Sequence, residues 1–178
     1  MKTLNTKQEK KTKTTNPLYL TDRQGLPLTM SEPIAGNHND LFNIEIQFEV
    51  VTATLEQANI DVNGLFLNAD AGFDSKDFRS SCNEKQINPN ICFNKRNGNS
   101  DRDEYFDQKP YNERYAVERT NAWMNSYRSL LNRFDTTTEI WKGFNCLSFI
   151  VIAVKKFNKK KNKKVYTISI CVFVYLIK

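Results

Sequence analysis

Apolar and polar positions alternate in blocks along this chain, and the blocks predict a mixed order of strands and helices. LYLT (18–21) and LPLTM (26–30) flank a D-R-Q-G turn (22–25). That pattern predicts a β-hairpin, with Gly25 supplying the backbone freedom the turn needs. EPIAGNHND (32–40) reads as a loop. Residues 41–58 carry two patterns at once. Phe42, Ile44, Ile46, Phe48 and Val50 alternate as in a strand, whereas Leu41, Ile44, Phe48, Val51, Leu55 and Ala58 fit one face of a helix. The segment is long for a strand and ends in good helix formers, so a helix is expected. GLFLNAD (64–70) predicts a buried strand ending in an acid, residues 75–85 a helix capped by Ser75, and NICFN (90–94) a second buried strand. After a charged loop (95–110), one long helix is expected over about 110–134 and another over about 138–157. Hairpin, helix, strand, helix, strand, two helices is an α/β order.

The ends differ from this middle. Residues 1–16 are polar and basic without periodicity, a flexible lead with no apolar stretch of the signal-peptide kind. A lysine run (155–164) precedes VYTISICVFVYLI (165–177), which is shorter than the ~20 residues a bilayer-spanning helix needs. A buried extra strand, or a tail read from a shifted frame, fits it better than a membrane anchor. The organisation expected is a lead (1–16), one domain (17–157) and a tail (158–178).

Length and charge narrow the function little. The 178 residues suit one domain, and the net charge of +6 fits either a polyanionic partner or a solvated face. Cys82, Cys92, Cys146 and Cys171 form no C-x-x-C pair and His38 lies near none of them, which argues against structural zinc and for free thiols.

Two places carry candidate chemistry. Asp70 ends an apolar strand, where α/β folds place functional groups, although Asp70 and Asp74 could equally make the turn and cap the next helix. On a continuous helix at ~100° per residue, Tyr111, Arg114, Glu118 and Asn125 share a narrow polar face, while Trp123, Tyr127, Leu130 and Phe134 form an apolar stripe opposite. Arg114 and Glu118, four apart, would also suit an ordinary helix ion pair.

The spacing Tyr111-x2-Arg114-x3-Glu118 resembles the Y-x2-R-x3-E-x6-K signature of insertion-sequence DDE transposases. YAVERTNAWMNSYRSLLNRFDT (115–136) is similar to the C-terminal signature of that group, and NADAGFDS (68–75) resembles its second-acid motif. YLTDRQGLPLTMSEPIAGNHND (19–40) resembles the hairpin and loop that precede it. The resemblance runs from about Thr14 to about Phe157. It departs at two points. Asn125 stands where the signature has Lys, with Arg128 one turn on as a substitute, and no acid occupies a strand before the hairpin, Glu9 and Asp22 being unsuited to the first-ligand role.

The resemblance implies an α/β, ribonuclease-H-like fold, here incomplete and N-terminally truncated. It would lack the first strand, leaving the hairpin and the later strands without a shared neighbour. It also implies a Mg²⁺ cofactor, replaceable by Mn²⁺, held by three carboxylates for in-line phosphoryl transfer. Asp70 and Glu118 would be catalytic metal ligands. Tyr111, Arg114 and Arg128 would contact DNA, with Lys95, Arg96 and Arg119 added from charge. The partner would be double-stranded DNA at transposon ends, with a homodimer compatible, no membrane, and a cytoplasmic, nucleoid-associated location. The expected function is DNA transposition, with this chain inactive alone. The alternatives are a DNA-binding repressor fragment without catalysis and a remnant of a decayed element.

Overall fold

The computed structural model describes residues 15–36, 38–97, 105–113, 115–131, 137–160 and 171–176. Two short strands, β1 (Thr15–Asn16) and β4 (Ile34–Ala35), bracket the hairpin β2 (Leu18–Thr21) and β3 (Pro27–Met30) and pair with each other. There follow α1 (Ile44–Gln57), β5 (Phe66–Ala69), α2 (Lys76–Glu84) and β6 (Asn88–Ile91). Then come α3 (Gln108–Asn112), α4 (Tyr115–Asn125), α5 (Arg128–Leu131), α6 (Thr138–Lys160) and β7 (Cys171–Leu176).

Residues 41–58 resolve the two patterns in favour of the helix. The buried positions of α1 are Ile44, Gln47, Phe48, Val51, Thr52 and Leu55, a helical repeat, and Ile46, which the strand pattern would bury, is 65% exposed. Ser75 caps α2 by accepting a hydrogen bond from the Phe78 amide at 3.1 Å. The second buried strand lies two residues earlier than expected, over Asn88–Ile91.

The expected helix over 110–134 is instead three pieces. Glu113 ends α3 and turns to an ion pair with Arg23 of the hairpin turn. At the next break the Ser126 hydroxyl bonds the Trp123 carbonyl at 2.7 Å, a side-chain competitor for the helical ladder. The face shared by Tyr111 and Glu118 on a continuous helix therefore does not exist, because they lie on different helices. Phe134 of the expected apolar stripe lies outside the described residues.

The main sheet has the order β3-β2-β7-β5-β6. β7 is antiparallel to β2 (Leu20 opposite Val174) and parallel to β5 (Ala69 opposite Val174), and β6 is parallel to β5. The expectation that the hairpin and the later strands lack a shared neighbour is thus corrected. The apolar tail takes that place, satisfying backbone donors and acceptors on both sides. Helices cover both faces. Leu18, Leu20, Leu67 and Ala69 pack against α1 and α2, with Phe48 and Phe78 edge to face at 5.2 Å. Tyr19, pointing the other way from Leu18 and Leu20, packs with Met30, Met124, Trp141 and Ile152 and donates its hydroxyl to Asn145 Oδ1 at 2.7 Å.

The hairpin turn is held by the second layer. Thr120 Oγ1 donates to the Gly25 carbonyl at 2.6 Å, while Arg119 and Lys156 each donate to the Gln24 carbonyl at 3.1 Å. Gly25 has φ +77°, and a Cβ there would stand 2.5 Å from the Ala116 carbonyl oxygen. Gly25→Ala should therefore cost at least the ~1–3 kcal/mol of a strained backbone position. Urea unfolding measures it, and a midpoint equal to that of the parent would show that α4 does not clamp this turn.

Candidate functional site at the carboxyl end of β5

The site begins with two amides on neighbouring parallel strands. Asn68 on β5 stands opposite Asn90 on β6, both buried. Asn90 Nδ2 donates to Asn68 Oδ1 at 2.7 Å and to the Asp107 carbonyl at 2.9 Å, and Asn90 Oδ1 accepts from the Asp107 amide at 2.7 Å. Asp107 in turn caps α3, its carboxylate accepting from the Lys109 amide at 2.9 Å. A buried amide left unpaired is costly, so this ladder fixes where α3 starts.

One turn into α3, the Tyr111 hydroxyl donates to Asp70 Oδ1 at 3.0 Å. The Tyr111 ring packs edge-on against Phe106 at 5.2 Å, and Phe106 lies 5.8 Å from Phe93. Burial raises the Tyr111 pKa above its ordinary value, and the hydrogen bond and charge of Asp70 raise it further, with Cys92 adding to both effects. Asp70 leaves β5 exposed and caps a single 3₁₀ turn, Ala71–Phe73, by accepting from the Ala71 amide at 2.9 Å.

Asp74 has a different role. It is 2% exposed, and its Oδ1 accepts from Arg79 Nε and Nη2 at 3.2 and 3.0 Å. Its Oδ2 accepts from the Asn94 amide at 2.8 Å, while Arg79 also donates to the Ile91 carbonyl at 2.9 Å. This ion pair ties the turn after β5 to the turn after β6, where Lys95 and Arg96 are exposed. The capping role weighed for both acids is therefore divided. Asp70 caps the 3₁₀ turn and Asp74 anchors two turns, while Ser75 caps α2.

Glu118 lies in the first turn of α4, exposed on the side away from buried Ala116, Thr120 and Met124. Arg114 lies outside the described residues. Arg128 opens α5 and is exposed. Arg119, a phosphate contact by charge alone, is drawn into the fold, bonding the Gln24 carbonyl with its guanidinium 5.1 Å from the Tyr115 ring. Sequence reasoning passed over Asn68, Asn90 and Asp107. Two asparagines inside apolar strands were the available signal, since such amides are buried only with partners.

The described residues do not fit a two-cation site. Among them, no three His, Cys, Asp or Glu side chains come together, and β7, which neighbours β5, reads CVFVYL and contains no acid. Among the described residues, no helix is long and apolar enough to cross a membrane.

Two substitutions test this geometry. Arg79→Met would leave the Asp74 carboxylate buried without its cation, at a cost of about 3–5 kcal/mol in denaturant unfolding; a loss under 1 kcal/mol would mean that the pair is solvated. Asp70→Asn should bring the Tyr111 ionisation back toward 10, followed by NMR of the labelled ring. With the folded pKa raised, the phenol's contribution to stability is complete below pH 10 and is lost as pH rises through the folded value. An unchanged titration in Asp70→Asn would exclude the contact.

Residues 67–155 match the family model described as transposase DDE domain. No curated protein and no solved structure matches the chain.

Proposed function

The chain belongs to the transposase DDE domain family, and on that premise we propose that it engages transposon-end DNA through the carboxyl edge of β5 and does not cut it unaided. The observation that carries this reading is the Tyr111–Asp70 hydrogen bond, which joins two motifs 41 residues apart in sequence at one place. Asp70 and Glu118 are the carboxylates the chain offers for Mg²⁺ or Mn²⁺, hard cations that prefer oxygen ligands. Tyr111, Arg114 and Arg128, with Lys95 and Arg96 on the turn anchored by Asp74, are the groups offered to DNA phosphates. The sheet order, with β2 antiparallel and β5 and β6 parallel to a central strand, is compatible with a ribonuclease-H-like core.

Catalysis is the weaker half of the inheritance. Two-cation phosphoryl transfer needs a carboxylate cluster able to hold both ions. The central strand beside Asp70, where the family fold would place a further acid, is CVFVYL in this chain. Binding without cutting would leave a competitor for the ends recognised by an intact enzyme, which is the repressor alternative.

The experiment uses the purified chain with duplex DNA bearing the element's ends. Affinity should fall steeply with added salt, with a log–log slope of about −0.9 per phosphate neutralised. Absence of binding at low salt would remove the DNA reading. Nicking and strand-transfer assays with Mg²⁺ or Mn²⁺ should give no product. Metal-dependent cleavage abolished by both Asp70→Ala and Glu118→Ala would overturn the claim of inactivity and require a third ligand, with Asp22 the first to mutate.

A further inference from the structure

A cleft of about 190 Å³ lies at the break between α4 and α5, against α6. Trp123, Ser126 and Tyr127 line one side, and Ile152, Lys155 and Lys156 of α6 line the other. Two ammonium groups stand over two rings. Lys156 Nζ is 5.5 Å from the centroid of Trp123, and Lys155 Nζ is 5.9 Å from that of Tyr127. The cleft is distinct from the site at Asp70. β2 runs antiparallel to β7, and β7 parallel to β5, so the hairpin turn that Lys156 holds lies toward the amino end of β5, whereas Asp70 leaves its carboxyl end.

The two lysines differ. Lys156 is half-buried, donates to the Gln24 carbonyl at 3.1 Å and lies 3.9 Å from the Asp22 carboxylate, so it is pinned and its charge is partly answered. Lys155 is exposed, and among the described residues no carboxylate pairs with it. Its contact is with the Tyr127 ring, and such a contact is weak when solvated. A planar heteroaromatic ring entering the cleft can therefore displace Lys155 and stack on Tyr127, the stronger contact, while Lys156 stays over Trp123 as the opposite wall. The released ammonium is then at the mouth, a mobile point charge for an anion carried by the same ligand. Size agrees: the cleft is smaller than the ~300–1,000 Å³ that takes a whole small molecule, so a ring fits inside and the remainder stays out. Ser126 Oγ donates to the Trp123 carbonyl at 2.7 Å, which leaves its lone pairs to accept from an amino group on the ring. We propose that this cleft is a nucleotide site, with the base on Tyr127 and its phosphate on Lys155. A free nucleoside monophosphate and an unstacked nucleotide of a single strand offer that same chemistry. The site stands independently of the contacts proposed for duplex DNA.

Calorimetric titration of the full chain with deoxyadenosine monophosphate tests it, beside deoxyadenosine and inorganic phosphate. The monophosphate should bind at least ~10-fold more tightly than either, the worth of one charge-assisted contact. Lys155→Gln, a change on an exposed side chain, should weaken the monophosphate ~10-fold and leave deoxyadenosine unaffected. Tyr127→Leu should weaken both ~10-fold, and Tyr127→Phe, which keeps the ring, should weaken neither. No binding of the monophosphate at millimolar concentration, or binding unchanged in Lys155→Gln, would overturn the proposal. Inorganic phosphate binding as tightly as the nucleotide would overturn the role given to Tyr127. A short deoxyadenylate single strand that displaces the monophosphate would assign the cleft to a strand, and one that does not displace it would assign the cleft to the free nucleotide.

Discussion

The backbone hydrogen bonding of β7 joins the two halves of the main sheet. On one side lies an antiparallel hairpin near the start of the sequence, and on the other a parallel pair built around β5. Each half presents a strand edge to the gap, and both edges lie under the helices that cover the sheet faces. Without β7 those amides and carbonyls would be buried and unpaired, a larger cost than any one side-chain contact in the molecule. The placement of α1 and α2 on one face and of α4 and α6 on the other presupposes a continuous sheet. So does the height at which Asp70 leaves β5.

From that sheet the site is assembled by short polar relays. Buried asparagines on β5 and β6 hold Asp107, Asp107 starts α3, and α3 delivers the Tyr111 phenol to Asp70. In parallel, Asp74 and Arg79 lock the two turns at the strand ends. The acids of the D-A-G-F-D segment therefore divide the work: Asp74 is spent on structure, and Asp70 stays exposed at the surface, where it accepts the Tyr111 hydrogen bond.

Elements with one strong local signal were legible in the sequence. The hairpin followed from its turn, α1 from a 3.6-residue repeat over a long segment, and the start of α2 from Ser75. The acid at the end of β5 followed from an apolar run that stops at Asp70. What stayed hidden was set by distant partners. The helix over 110–134 breaks where Glu113 finds Arg23, ninety residues away, and nothing local to either residue announces that pair. The Asn68–Asn90 ladder is invisible for the same reason, since each residue alone reads as a poor strand former. The tail showed an apolar, β-branched run and so could be read as a strand, but its central position depends on a gap that only the assembled sheet defines.

The central strand also follows in sequence all the strands it joins. A chain emerging from the ribosome makes the hairpin, then the parallel pair, then the helices of the second layer, and the strand between the two halves comes after them all. Until then the halves can form locally but cannot merge, so the closing step spans residues from Leu18 to Leu176. Such long-range closure is slow and leaves bare edges waiting. Synthesis, rather than the folded state, is thus the stage at which this protein is most exposed to capture by another strand, including the same strand from a neighbouring copy.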